Sequence, residues 1–167
     1  MTLALDNGVY CELSFSPNLG LIATVRRFVG EFYQRILGDA EVTSRLVVAT
    51  HELLENAVRY SLDGQSTIRI NVERERSDIK VTVETKNRST DERRAALSAL
   101  LAEMKASGDP NAFYQTLMLR SSKRTDGSGL GLGRIHAEAE MNLTCEIEGD
   151  IVRLRAEARF PTKEVAL

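Results

Sequence analysis

The chain has 167 residues, 43% of them hydrophobic and 28% charged, which suits one folded domain with a real core and excludes a disordered or fibrous chain. Its net charge of -2 offers no bulk attraction to nucleic-acid phosphates or anionic membranes, so neither is expected as a partner. Two distant cysteines, Cys11 and Cys145, match no metal spacing and fit a reduced, cytoplasmic protein.

The opening MTLALDNG has neither the basic region nor the apolar run of a signal peptide. Nowhere does the chain approach the roughly 20 apolar residues of a membrane span. Residues 10–16 alternate loosely and predict a short strand. Pro17 and Asn18 open a helix to about Leu37, with Ile22, Val25, Val29, Phe32 and Ile36 at helical spacing. Gly38 and Asp39 break it. A second helix follows over about 42–62, with Leu46, Leu53, Ala57 and Tyr60 on one side. Asp63, Gly64 and Gln65 make a turn. Residues 67–73 and 79–85 alternate cleanly and predict a hairpin through Ile68, Ile70, Val72 and Ile79, Val81, Val83.

Thr90 or Asp91 can cap a helix carrying Leu97, Leu100, Leu101 and Met104, which ends near Gly108. Asp109 and Pro110 start another, with Phe113 and Leu117. A glycine-rich stretch then leads into a helix to about Met141. Residues 143–148 and 151–158 close the chain as a hairpin turning at Gly149 and Asp150. Strands in successive pairs predict an α+β fold, a two-layer sandwich: a mostly antiparallel, mixed sheet with helices on one face, in a single domain over 1–167.

Two stretches carry chemistry. In TDGSGLGLGRIHAEAEM, glycines recur at Gly127, Gly129, Gly131 and Gly133. Without Cβ atoms a backbone can take positive φ and approach a ligand closely, and a helix start adds unpaired N–H groups and partial positive charge. Together these bind phosphate; a hinge or close helix packing would use the same residues. No Lys-Ser/Thr pair follows, so this is not a Walker loop, and its late position does not suit a dinucleotide fingerprint.

The other stretch is HELLENAVRYS, beginning at His51. Glu52 and Asn56 stand four apart on one helix face beside the apolar stripe. An amide oxygen can ligate Mg2+ and a carboxylate can take a proton from an attacking hydroxyl, although such a pair can equally be a solvated face. His51, Glu55 and Arg59 form a separate row, read as surface pairing.

ELLENAV followed downstream by GSGLGLGRI resembles the GHKL ATPase superfamily, whose members bind ATP in the Bergerat fold, an α/β sandwich. At this size the chain is most similar to the anti-sigma-factor serine/threonine kinases of bacterial partner-switching systems. The resemblance implies an N box over 52–56, a first glycine box over 85–89, a lid over 88–125 and a second glycine box over 127–132. It implies that Glu52 is the general base and Asn56 the Mg2+ ligand and a nucleotide contact. Gly127, Gly129 and Gly131 would wrap the triphosphate, with Leu130 and Leu132 anchoring the loop. ATP and Mg2+ are the implied cofactors. The implied partner is a small regulator resembling an anti-sigma-factor antagonist, and a homodimer is compatible with the resemblance.

The first glycine box departs from the family pattern. In IKVTVETKNRS, Thr85 stands where the adenine-contacting aspartate belongs, Asn87 at the first glycine and Ser89 at the second. Asn87 tolerates a left-handed backbone, so the turn is expected to persist while adenine recognition by Thr85 is weakened. Lys123 or Arg124 can reach a phosphate or form a solvated basic turn. Met104, Phe113, Leu117 and Met118 can pack in the core or face a partner, and His136 is expected at the surface. Three functions follow: a protein kinase, a partner-binding module with weak or no nucleotide binding, and a plain ATPase.

Overall fold

The computed structural model describes residues 8–16, 19–75, 77–122 and 129–161. Among these residues ten elements run in the order β1 (Val9–Phe15), α1 (Leu19–Leu37), α2 (Ala40–Tyr60), β2 (Ser66–Glu75), β3 (Asp78–Arg88), α3 (Asp91–Ser107), α4 (Pro110–Ser121), α5 (Leu130–Ala137), β4 (Asn142–Glu148) and β5 (Ile151–Pro161). The strands form one sheet in the order β1-β2-β3-β5-β4. Every pairing is antiparallel, so the sheet is not mixed as expected. The α+β two-layer reading holds.

Period-2 alternation decides which face is buried. Ile68, Ile70 and Val72 of β2, Val81 and Val83 of β3, and Leu154 and Ala156 of β5 are all buried. They meet Leu46, Leu53 and Leu54 of α2, which are also buried. The opposite face carries ion pairs such as Arg155–Glu84 and Lys80–Glu157. Exposed pairs of this kind contribute roughly 0–1 kcal/mol each, so the helix-covered face supplies most of the stability. Among the described residues no helix is long and apolar enough to cross a membrane.

Local chemistry sets the helix ends. Asp39 accepts from the N–H groups of Glu41 and Val42, so α2 starts two residues earlier than the apolar pattern alone predicts. Thr90 and Asp109 cap α3 and α4 as expected. Pro17 and Asn18, the expected opening of α1, lie outside the described residues. Arg45 near the start of α2 donates to the Ala139 carbonyl at 3.1 Å and to Glu140 at 2.6 Å. It thereby ties α2 to the chain leaving α5. Tyr33 of α1 and Thr50 of α2 share a buried hydrogen bond of 3.0 Å, which satisfies both hydroxyls inside the core.

Three further expectations need correction. Residues 85–89 form no glycine-box turn. β3 runs on to Arg88, with Thr85 opposite Leu154 and Asn87 opposite Val152. Glu140, with φ 54, is the one non-glycine residue with positive φ among those described, so Asn87 is not left-handed. The last helix ends at Ala137 rather than near Met141, because the chain turns at Glu140 to bury Met141 completely. His136 is not a free surface group: its Nδ1 lies 3.1 Å from the Met141 carbonyl oxygen and helps hold that turn.

Candidate functional site

The site grows out of α2. Its Leu53 and Ala57 face the core, and this turns Glu52 and Asn56 toward the margin, where α5 crosses. Glu52, Asn56 and Tyr60 of α2, Tyr114 of α4, and Gly129, Leu130, Gly131 and Arg134 line one cleft of about 250 Å³. That is slightly below the roughly 300–1,000 Å³ of ordinary small-molecule sites. A larger hollow of about 890 Å³ lies between α1 and α2 and carries the His51, Glu55 and Arg59 row. None of the predicted site residues that are described lines it. His51 and Glu55 pair at 3.4 Å, as their spacing suggests.

Close packing explains the glycine spacing. Gly129 caps α5 at φ +68, a conformation that L side chains rarely adopt. Gly131 lies inside the first turn of α5, and a Cβ there would stand 2.4 Å from Glu52 Oε2. A Cβ at Gly133 would stand 2.6 Å from Leu117 Cδ1 of α4. The alternate glycines thus let α5 approach α2 on one side and α4 on the other. Leu132 is buried, and Leu130 packs partly buried against the core. Gly127, Lys123 and Arg124 lie outside the described residues.

The Glu52 side chain keeps 14% of its exposure and pairs with Arg134, whose Nη1 donates to Oε1 at 3.2 Å. Arg134 Nε donates to Glu138 at 2.8 Å. These bonds, Glu138 first, hold the guanidinium pKa above its ordinary value. Tyr114 approaches the same group of charges from α4. Burial first, and then Glu138, raises its phenol pKa. Arg134 and Tyr114 were not singled out from the sequence. The available signal was position, since Arg134 falls one helical turn after Gly131 once the helix starts within the glycine box.

Asn56 Nδ2 is buried and makes no hydrogen bond among the described residues. A buried amide without a partner is rare and points to a missing one. Beside the Cβ-free surface of Gly131, this orphaned group fits a nucleotide with its metal ion: the amide can turn its oxygen or its nitrogen toward a ligand. Thr85 and Asn87 do not join this cleft. Thr85 is 2% exposed within the core face of β3, and the Asn87 amide donates to the Arg88 carbonyl at 3.1 Å. Of the four residues weighed as core or partner surface, Met104, Phe113 and Leu117 are buried and Met118 is exposed.

Among solved structures, a chain of the SiaB–SiaC complex from Pseudomonas aeruginosa matches over 90% of this chain and 89% of its own length, with a TM-score of 0.61 and 13% identity. At that identity the likeness is one of fold. No curated protein matches the sequence. The pattern of the histidine kinase-like ATPase domain matches residues 15–155, a span that includes both α2 and the glycine stretch. The chain belongs to the histidine kinase-like ATPase domain family.

Proposed function

We propose that this protein is a cytoplasmic, ATP-dependent serine/threonine protein kinase of a bacterial partner-switching system. It phosphorylates and holds a small regulator resembling an anti-sigma-factor antagonist, and a homodimer is part of the same reading. One observation carries the proposal: Glu52 and Asn56 share a cleft with the glycine-rich start of α5. A carboxylate, an amide and a helix start without side chains are the parts that phosphoryl transfer requires.

Bound Mg-ATP supplies the phosphoryl group and the cation that offsets its charge. Asn56 would ligate Mg2+ through its amide oxygen. The backbone N–H groups around Gly129 and Gly131 would donate to phosphate oxygens. Glu52 would accept the proton of the partner's attacking Ser or Thr hydroxyl, and its low exposure keeps competing water away from it. The assembly of a protein partner in the SiaB–SiaC complex, which shares the fold, is in keeping with this reading.

A second reading has its own observation. β3 is hydrogen-bonded through residues 85–88 where the family pattern places a turn, which favours a module that sequesters a partner with weak or no nucleotide binding. Calorimetry with Mg-ATP separates the two. The kinase reading expects binding near micromolar, weakened at least tenfold in Asn56→Ala by loss of a charged-group contact. It also expects phosphate transfer to a regulator that Glu52→Gln abolishes. Absence of heat at millimolar ATP would leave the sequestering module.

A further inference from the structure

We propose that Arg134 is a two-position residue: it masks Glu52 while the cleft lacks an anion, and it moves to the phosphates when a triphosphate enters. This rests on the nucleotide-site reading above and extends it to a residue just beyond the second glycine box, to which the sequence assigned no role.

Both carboxylate oxygens of Glu52 are covered. Oε1 accepts from Arg134 Nη1 at 3.2 Å, and Oε2 packs against the α5 backbone at Gly131, where a Cβ would be 2.4 Å away. In this arrangement each oxygen already has a neighbour on α5, and an incoming hydroxyl must compete with it. The two partners differ in solvation: the side chain of Glu52 is 14% exposed and that of Arg134 is 42% exposed. A carboxylate so far out of water needs a partner, whereas a half-solvated guanidinium can leave at modest cost.

Charge points the same way. The cleft is lined by two carboxylates, Glu52 and Glu55, and two guanidinium groups, Arg59 and Arg134. A polyanion entering it would meet two cations, Arg59 and Arg134, and Arg134 is the one now held by Glu52. Guanidinium groups bind phosphate in bidentate fashion, and Arg134 stands on the first turns of α5, where a phosphate would also meet the helix start. Glu138 holds Arg134 Nε at 2.8 Å, so the side chain keeps an anchor while its Nη1 changes partner. Withdrawal from Glu52 would also widen a cleft that is small for its class.

The test is calorimetric titration with Mg-ATP and, separately, with inorganic tripolyphosphate. The proteins are the wild type, Arg134→Gln, Arg134→Lys, Glu52→Gln and the double variant Glu52→Gln with Arg134→Gln. Arg134→Gln should weaken both ligands roughly tenfold or more, and Arg134→Lys should recover part of the loss. Glu52→Gln alone should tighten binding, because it releases Arg134, and that gain should vanish in the double variant. Tripolyphosphate binding that depends on Arg134, without ATP binding, would support the switch and sink the nucleotide reading. Equal affinity in wild type and Arg134→Gln, an equal gain from Glu52→Gln in both backgrounds, or no binding of either ligand would overturn the switch.

Discussion

Glu52 and Gly131 meet closely across the site, and alanine at Gly131 tests that contact. The added methyl would stand 2.4 Å from the Glu52 carboxylate. That neighbour is the far end of a flexible side chain, so it can swing away. Alanine also favours a helix over glycine by up to about 1 kcal/mol. Gly131→Ala should therefore melt within a few degrees of wild type yet lose the Glu52–Arg134 pair, and on the proposed kinase reading ATP affinity and phosphate transfer should both change. A large fall in melting temperature instead would show that the glycine serves packing alone. Gly129 behaves differently. Its φ is +68, and a methyl there would stand 2.4 Å from Leu100 Cδ2. Gly129→Ala should cost about 1–2 kcal/mol for the left-handed backbone alone. A denaturant titration reads it as a lower midpoint with unchanged slope.

At the level of elements, the end of β3 decides how this chain departs from its family. Arg88 bridges the strand end to two turns. It pairs with Asp63 at 3.4 Å after α2 and with Asp150 at 2.5 Å in the β4–β5 turn. The backbone adds Leu62 N–H to the Arg88 carbonyl and Ser89 N–H to the Asp150 carbonyl, both at 2.8 Å. This clamp occupies the place where the family pattern opens. Arg88 holds the Asp150 carboxyl below its ordinary value of 3.8. For Asp63 the Gln65 N–H is the first cause and Arg88 a later one. A carboxylate with depressed folded-state pKa contributes stability that is present above its unfolded pKa and lost as pH falls through the folded one. Arg88→Ala should therefore lower the melting temperature modestly at pH 7, and the gap to wild type should close as pH falls below about 3.8. A gap independent of pH would assign the effect to packing.

The same elements show what a single sequence carries. Ile68, Ile70, Val81 and Val83 alternate apolar with polar, and the sheet face they predict is the one that is buried. Glu52 and Asn56 are four apart on a helix, so their shared cleft was legible from spacing. The extension of β3 was not, because its inward residues there are Thr85 and Asn87, polar groups that break the apolar signal while the ladder continues. The Arg134–Glu52 pair was illegible for another reason. It joins residues 82 apart, and no local period encodes a contact set by how two helices cross. The start of α5 inside the glycine box hid in the same way, since glycine reads as loop until neighbouring helices fix it.

For the whole molecule, the proposed nucleotide binding would be linked to folding. A ligand that binds only the folded chain raises stability by about 2.7 kcal/mol at roughly one hundred times its Kd. For a domain of this length that corresponds to roughly 5–10 °C in melting temperature. Both sides of the cleft must be in place for that gain: α2, seated on the sheet through Leu53 and Leu54, and α5, tied back to α2 through Arg45 and the chain at Ala139. Leu53 is fully buried, and Leu53→Ala should cost about 2–5 kcal/mol in the absence of ligand. If the cleft belongs to the folded domain as a whole, saturating Mg-ATP should raise the melting temperature of Leu53→Ala by about as much as that of wild type. A shift much smaller than in wild type would mean that the core substitution also deforms the cleft. A shift in neither protein, combined with one on adding the regulator, would make partner binding the source of ligand-linked stability in this fold.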